Sequence, residues 1–197
     1  MGGTPSYRES HRARLREALV AAARQLTVEH GWGAVRMADV AGAAGVSRQT
    51  VYNEFGGRDG LAEALSLNEI RLFLTMVRAE MFAHGPDARA AAHAAILRTL
   101  LETGRNPLVK AILTSGRGGA DELLPYLTTR SAALLAAGGA VVAEWADAYA
   151  PSLKPEVVAV AADSAIRLTI SHVMQPLETP SASADAVAEV FVRMLTP

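Results

Sequence analysis

The sequence predicts an all-α protein of about nine helices. Half of its 197 residues are hydrophobic but only 5% are aromatic, and Ala and Leu dominate, as in helical proteins. No stretch alternates apolar and polar residues over a strand's length, so no β-sheet is expected. Apolar residues instead recur at spacings of three and four, in segments that Gly and Pro residues separate.

The first predicted helix runs from about Glu9 to His30 and ends at Gly31, a residue suited to the position just after a helix. Its predicted buried stripe consists of four residues at helical spacing: Leu15, Leu19, Ala22 and Leu26. Residues 1–8 are expected to be mobile. The sequence leaves open whether the basic residues around the helix start follow a DNA backbone or form a solvated tail: Arg8, His11, Arg12 and Arg14.

The next segment predicts two short helices joined by a tight turn. One face of the first helix carries apolar residues at helical spacing: Met37, Val40, Ala41 and Ala44. Gly45 permits the positive φ of a sharp turn, and Ser47 is an N-cap residue that lets a second helix start at Arg48. On that second helix, Val51 and Phe55 are four residues apart and face inward. This arrangement is a helix-turn-helix.

The second helix leaves mostly polar side chains facing outward, with the donors and acceptors that contact base edges in a major groove. An ordinary packed helix pair with a solvated polar face is the alternative interpretation. We expect base contacts from Arg48, Gln49 and Thr50. We expect phosphate contacts from Tyr52, Asn53 and Arg58, because hydroxyl, amide and guanidinium groups serve there. The N-cap residue Ser47 completes the predicted DNA-binding set.

The charge of the chain is unevenly distributed. The net charge is −1, which is not typical of a nucleic-acid-binding protein. Residues 1–58, however, hold eight Arg and five acidic residues, a net charge of +3, whereas residues 59–197 carry −4. The basic excess therefore coincides with the helix-turn-helix, as expected for DNA binding.

From about Arg14 to Leu65 the chain resembles the TetR family of bacterial transcriptional regulators. The matching residues are Ala18, Ala22, Ala23, Leu26, Gly31, Ala44 to Ser47, Tyr52, Phe55, Arg58 and Leu61. Two residues depart from the family pattern, because Arg36 stands where a capping Thr is usual and Thr50 replaces a frequent Gly. The resemblance implies an arm and DNA-binding domain at residues 1–57 and a ligand-binding and dimerisation domain at residues 58–197. It also implies a homodimer on a palindromic operator in double-stranded DNA.

A long helix predicted from Arg58 to Ala83 has apolar residues on two sides, so we expect it to be buried between partners. It would link the DNA-binding domain to the rest of the chain. Further helices are expected at about 87–102, 108–115, 121–149, 156–174 and 183–195, with a disturbance of the helix at 121–149 near Pro125 and Gly138.

The resemblance implies that the middle helices form the pocket of an unknown small-molecule effector. The candidate lining residues are almost all apolar, and a closed core would have the same composition. The sequence therefore does not separate a cavity from a core. The candidates are Met76, Met81, Ile96, Leu100, Ile112, Leu113, Leu123, Tyr126, Leu134, Val142 and Trp145.

The last two predicted helices have wider apolar faces than one small neighbour would cover. They either complete the core of the domain or pair with a second copy as a four-helix bundle, which is how the resemblance implies dimerisation. The predicted interface residues are Leu168, Val173, Val187, Val190, Phe191 and Met194.

These features favour a repressor that a small apolar or amphipathic ligand releases from DNA. The alternatives are an activator or ligand-independent DNA-binding protein, and a helical lipid-binding protein without DNA binding. We expect no enzyme, cofactor or metal site, because the chain has no Cys, no GxSxG motif and no metal-ligand spacing among its five His. The lack of a signal peptide or long uncharged apolar run predicts a cytoplasmic protein without a membrane partner.

Overall fold

The computed structural model describes residues 7–106, 108 and 131–196, which form eight α-helices, one 3₁₀ helix and no strand. The predicted all-α class is confirmed. The predicted helix at 108–115, the start of the one at 121–149 and the candidates Ile112, Leu113, Leu123 and Tyr126 lie outside these residues. The helices are α1 (Tyr7–His30), η1 (Trp32–Ala34), α2 (Met37–Ala43), α3 (Arg48–Phe55), α4 (Arg58–Ala83), α5 (Ala88–Arg105), α6 (Ala132–Tyr149), α7 (Pro155–Met174) and α8 (Pro180–Leu195).

The described residues divide into two compact units, and the division falls within α4. Unit 1 comprises residues 7–68, and unit 2 comprises residues 69–106, 108 and 131–196. The predicted domain boundary lies earlier, at the start of α4. One continuous helix therefore supplies residues to both units.

The buried face of α1 differs from the predicted stripe by about one residue. Leu19, Ala23 and Thr27 are fully buried, whereas Leu15, Ala22 and Leu26 are only half-buried. The hydroxyl of Thr27 donates to the main-chain oxygen of Ala23 at 2.7 Å, so its polar group is satisfied inside unit 1. The apolar pattern did not reveal that the buried face of α1 includes a polar residue, Thr27.

The helix-turn-helix has the predicted bounds and turn. Gly45 has a φ of 68°, and the N–H of Val46 donates to the main-chain oxygen of Ala41 at 3.0 Å. The hydroxyl of Ser47 accepts from the N–H of Thr50 at 3.1 Å, which confirms Ser47 as the N-cap of α3. Ala44, also predicted on the apolar face, is the half-buried C-cap of α2. The other predicted inward residues are buried: Met37, Val40, Ala41, Val51 and Phe55.

Two details of unit 1 depend on residues that the pattern did not single out. The carboxylate of Asp39 accepts from the N–H of Arg36 at 3.3 Å, so an acidic residue in the first turn of α2 helps to satisfy the start of a helix that lacks the usual Thr cap. At the start of α4, a Cβ on Gly60 would overlap the main-chain oxygen of Phe55. This close approach of α4 to the end of α3 therefore requires glycine.

Unit 2 is a packed group of helices. In it α5 contacts α8 and α7, while α7 also contacts α6. Its core contains many Ala residues together with Met81, Trp145 and Phe191. The indole N–H of Trp145 donates to the main-chain oxygen of Gly85 at 2.9 Å, which ties α6 to the turn after α4.

Two predicted features of unit 2 are wrong. No disturbance of α6 occurs at Gly138, which lies against α7 so closely that a Cβ there would come within 2.9 Å of a methyl carbon of Ile166. The last helix starts at Pro180 rather than Ser183, because Thr179 caps it by accepting from the N–H of Ala182 and proline suits the first helical position.

By length and composition, α7 is apolar enough to cross a membrane, with a mean hydropathy of 1.4. Only 28% of its apolar window is buried within the described residues. A helix of this kind needs either a core, a protein partner or a lipid environment for its exposed apolar side chains.

Candidate nucleic-acid interface

The polar residues of α3 share one surface of unit 1. The side chains of Ser47, Arg48, Gln49 and Asn53 are exposed, and those of Thr50 and Tyr52 are half-exposed. Val51 and Phe55 face the opposite side and anchor the helix in the core. The structure thus brings together six of the seven predicted DNA-binding residues on one short helix and its N-cap.

Arg48 and Tyr52 form a pair along one side of this surface. A terminal nitrogen of Arg48 donates to the hydroxyl of Tyr52 at 3.2 Å, and the guanidinium carbon lies 5.3 Å from the centre of the ring. The hydrogen bond to Tyr52 raises the pKa of Arg48 above its already high ordinary value, so this cation is permanent. Tyr52 therefore holds the position of Arg48 before any DNA is bound.

Gln49 and Asn53 form a second pair, one turn apart. The side-chain amide of Gln49 donates to the amide oxygen of Asn53 at 2.8 Å. The hydroxyls of Ser47 and Thr50 lie 2.9 Å apart in a third pair. Because an amide or hydroxyl has several donor and acceptor positions, each pair keeps capacity for a base or phosphate.

Arg58 lies at the start of α4 and has contacts within its own unit. A terminal nitrogen donates to the main-chain oxygen of Trp32 at 2.6 Å, and the guanidinium carbon lies 5.0 Å from the centre of the Trp32 ring. Arg58 thus joins η1 to α4. Its expected phosphate contact stays a prediction, and the structure adds a stabilising role.

An ion-pair cluster on the other side of α3 was missed by sequence reasoning. Glu54 accepts from Nε of Arg12 at 2.9 Å and from a terminal nitrogen of Arg16 at 3.0 Å. The same nitrogen of Arg16 lies 3.3 Å from the main-chain oxygen of Glu54, and its guanidinium carbon is 4.7 Å from the centre of the Phe55 ring. No sequence signal links residues so far apart in the chain.

The same ion pairs show that Arg12, a basic residue near the start of α1, is part of the folded domain. Burial acts to raise the pKa of Glu54, but the hydrogen bonds and charges of Arg12 and Arg16 outweigh it and hold the pKa below its usual range. Glu54 is therefore ionised at neutral pH. Arg12 belongs to α1 and contacts α3, so it is neither a solvated tail nor a free arm.

Five of the seven described pocket candidates lie in or against the packed core of unit 2. Met81, Ile96 and Trp145 are buried there, and Leu100 and Val142 pack against them. Met76 is half-buried with its sulfur 4.0 Å from a nitrogen of Arg98, and Leu134 is half-buried on α6. These contacts are those of a core, so the pocket stays a prediction.

An open groove of about 360 Å³ lies elsewhere in unit 2, at the start of α5. It is lined by His84, Asp87, Arg89 and His93 with neighbouring apolar residues, none of which was a pocket candidate. Within the described ranges no group of three or more His, Asp or Glu residues could hold a metal ion.

The predicted interface residues divide between core and surface. Val187 and Phe191 are each only 2% exposed and belong to the core of unit 2. Leu168 and Val190 are each 38% exposed, and Val173 and Met194 are half-buried. The structure therefore leaves only part of the predicted set accessible to a second copy.

Two family models match the chain. Residues 19–65 match the model described as bacterial regulatory proteins of the tetR family, and residues 87–193 match the C-terminal domain of the bacterial tetracycline repressor. The chain belongs to the TetR family. The protein is accordingly a DNA-binding transcriptional regulator, and DNA contact by the surface of α3 described above stays a prediction.

Similar TetR-family proteins are known in sequence and structure. The HTH-type transcriptional regulator AlkX of Mycobacterium tuberculosis is 33% identical over 192 residues, which are 97% of this chain and 88% of that protein. The crystal structure of the TetR-family repressor AlkX from a Dietzia species, implicated in biodegradation of n-alkanes, is 30% identical. It matches with a TM-score of 0.74 over 90% of this chain and 96% of that one.

A more distant TetR-family structure has the same fold. The Thermus thermophilus repressor FadR, solved in complex with lauroyl-CoA, is 17% identical with a TM-score of 0.63, and the match covers 92% of this chain and 95% of that one. At that identity the likeness concerns the fold alone.

Proposed function

We propose that this TetR-family regulator is a repressor that binds a palindromic operator as a homodimer and leaves it when a small apolar or amphipathic ligand binds. The observation that carries the proposal is the surface of α3, where polar side chains with free donor and acceptor capacity face outward on a firmly anchored short helix. A short exposed helix of this kind fits into a major groove.

Base contacts are assigned to Arg48, Gln49 and Thr50, and phosphate contacts to Tyr52, Asn53 and Arg58. The Arg48–Tyr52 hydrogen bond supports this division, because a phosphate bound by the Tyr52 hydroxyl would leave Arg48 held at a fixed position beside the bases. Ser47 caps the start of α3, so the remaining free N–H groups of the first turn would face the DNA backbone.

A homodimer would use the exposed apolar side chains of α7 and α8. Val160 is 58% exposed and Leu168 and Val190 are each 38% exposed, and α7 and α8 pack against each other within the chain. A second copy would cover this apolar surface and would explain why α7 is so apolar without a membrane partner. The operator would then contain two half-sites with the symmetry of the dimer. We also propose that this regulator is cytoplasmic.

An effector would act through α4, because this helix belongs to both units. It starts next to the DNA-binding residues, at Arg58, and continues past Met76 to Met81. The apolar character of the candidate lining residues and the n-alkane connection of the Dietzia repressor favour an apolar or amphipathic ligand. A ligand can shift the equilibrium only by its different affinity for the two conformations.

Footprinting on the DNA upstream of the protein's own gene tests the proposal. A discrete protected palindrome supports operator binding. Uniform coverage would instead favour ligand-independent, nucleoid-type DNA binding, and no protection would mean that this region contains no operator.

A titration with n-alkanes of increasing chain length, with and without the operator duplex, tests the effector. For a typical coupling of 1–3 kcal/mol, the inducing ligand should lower DNA affinity about 5- to 150-fold, and the operator should weaken ligand binding by the same factor. A ligand that binds equally well in both titrations is not an inducer.

A further inference from the structure

We infer that Glu54 is a specificity-determining residue for DNA binding, because it engages Arg12 and Arg16 and so limits their attraction to phosphates of any sequence. This inference rests on the proposed function, in which α3 lies in the major groove. The helix-turn-helix pattern assigns no role to Glu54.

The position of the cluster follows from helix geometry. Successive side chains on a helix are separated by about 100°, so Glu54 projects from the side of α3 rather than along the direction of Asn53. A helix with its side chains is about 10–12 Å wide and the major groove about 12 Å, so the sides of a bound helix face the two phosphate backbones. Arg48 and Tyr52 lie on one side, and Glu54 with its arginines lies on the other.

The charges of the cluster decide its effect on DNA. Two arginines on this side would carry two positive charges toward a backbone, but the carboxylate of Glu54 neutralises one of them. Its contacts are specific, since the Glu54 side chain is only 9% exposed and accepts from both guanidinium groups. The arginines themselves remain accessible, with side-chain exposures of 70% for Arg12 and 45% for Arg16.

The negative charge of Glu54 should mainly lower the affinity for DNA of random sequence. Each phosphate that a protein neutralises steepens the fall of log affinity with log salt by about 0.9. At 0.15 M salt, one such contact corresponds to roughly fivefold higher DNA affinity. Base contacts fix the helix at one position on an operator, where a released arginine can use only the phosphates within reach. On random DNA the protein samples many positions, so released arginines gain more there.

The test compares Glu54→Gln with Glu17→Gln, which removes the same charge from an exposed position on α1. Gln keeps the size and one acceptor of Glu54, and a thermal melt verifies folding of both variants. Binding is measured by titration of a duplex carrying the footprinted site and a scrambled duplex of equal length, over a series of salt concentrations.

For Glu54→Gln we expect random-sequence affinity to rise about fivefold at 0.15 M salt and the salt slope to steepen by about 1, with a smaller change on the operator. Adding Arg12→Ala or Arg16→Ala should reverse much of this rise, and either substitution should lower random-sequence affinity less in the unsubstituted protein than in the Glu54→Gln background. Such non-additivity is the signature of a direct interaction.

Two results would overturn the inference. If Glu54→Gln matches Glu17→Gln on random DNA, or weakens binding to both duplexes with an unchanged salt slope, then Glu54 only stabilises the contact between α1 and α3. If the unsubstituted protein does not distinguish the two duplexes, both the inference and the proposed operator binding fail. If the unsubstituted protein prefers the operator but Glu54→Gln has no effect on random-DNA affinity, then only the inference fails and the proposed operator binding stands.

Discussion

The two units differ in how directly their residue types report their function. In unit 1, apolar residues anchor α3 and polar residues cover its outer surface, so the amino-acid type at each position nearly determines its role. In unit 2, nearly every predicted functional residue is apolar, and apolar residues serve equally well in a core, a pocket or an interface. The function of a polar surface can therefore be inferred from sequence far more directly than that of an apolar one.

Val187 and Val190 illustrate the problem in unit 2. They are the same residue type on the same helix, three positions apart, and the sequence predicts both as interface residues. Yet Val187 is 2% exposed in the core, whereas Val190 is 38% exposed on the surface. Packing between helices, which a periodic pattern does not specify, separates them.

The largest effect should come from adding a charge at these two positions. Val187→Glu buries a carboxylate in the core of unit 2 at a cost of several kcal/mol, and we expect unfolded or insoluble protein. Val190→Glu should give a folded monomer in sedimentation, because the new charge repels the second copy without disturbing the core. A folded dimer of Val190→Glu would place the interface on a different surface.

The next largest effect should come from adding a methyl group to Gly60, at the start of α4, which should lower the stability of the fold. Gly60→Ala forces a Cβ against the main-chain oxygen of Phe55, so we expect a loss of about 1–3 kcal/mol in the free energy of unfolding. Gly57→Ala is the control, since a Cβ there meets no atom within 4 Å. Equal stability of the two variants in denaturant titrations would mean that α4 does not need this close approach.

Removing the Tyr52 hydroxyl should have a smaller effect, confined to DNA binding. Tyr52→Phe keeps the ring beside Arg48 but removes the acceptor of its hydrogen bond. Because the hydroxyl is also the proposed phosphate contact of Tyr52, operator affinity should fall by at least about fivefold while the melting temperature changes little. An unchanged operator affinity would show that Arg48 needs no support from the Tyr52 hydroxyl and that this hydroxyl binds no phosphate.

The smallest effect concerns the pH dependence of stability. Because the pKa of Glu54 is lowered in the folded protein, its ion pairs stabilise the fold at neutral pH, and this contribution is lost as the pH falls through the lowered pKa. The stability difference between the unsubstituted protein and Glu54→Gln should be constant near neutral pH and shrink below about pH 4. A difference that stays constant into acid would assign it to packing rather than charge.

Much of unit 1 could be predicted because local chemistry determines it. Gly45, Ser47, Val51 and Phe55 specify a turn, a cap and an inward face within a few residues of one another. The contacts of Glu54 could not be predicted, because Arg12 and Arg16 lie 42 and 38 residues away in the chain. The early start of α8 could not be predicted from prolines as separators of helical segments, because Pro180 is itself a first helical residue.

The most direct test of sequence-specific recognition by α3 is the affinity of Arg48→Ala for the footprinted operator and for a scrambled duplex of equal length, at one salt concentration. The account predicts a loss of roughly 5- to 150-fold on the operator and little change on the scrambled duplex, because Arg48 contacts base edges. Equal losses on both duplexes would contradict it, since Arg48 would then contribute only its charge.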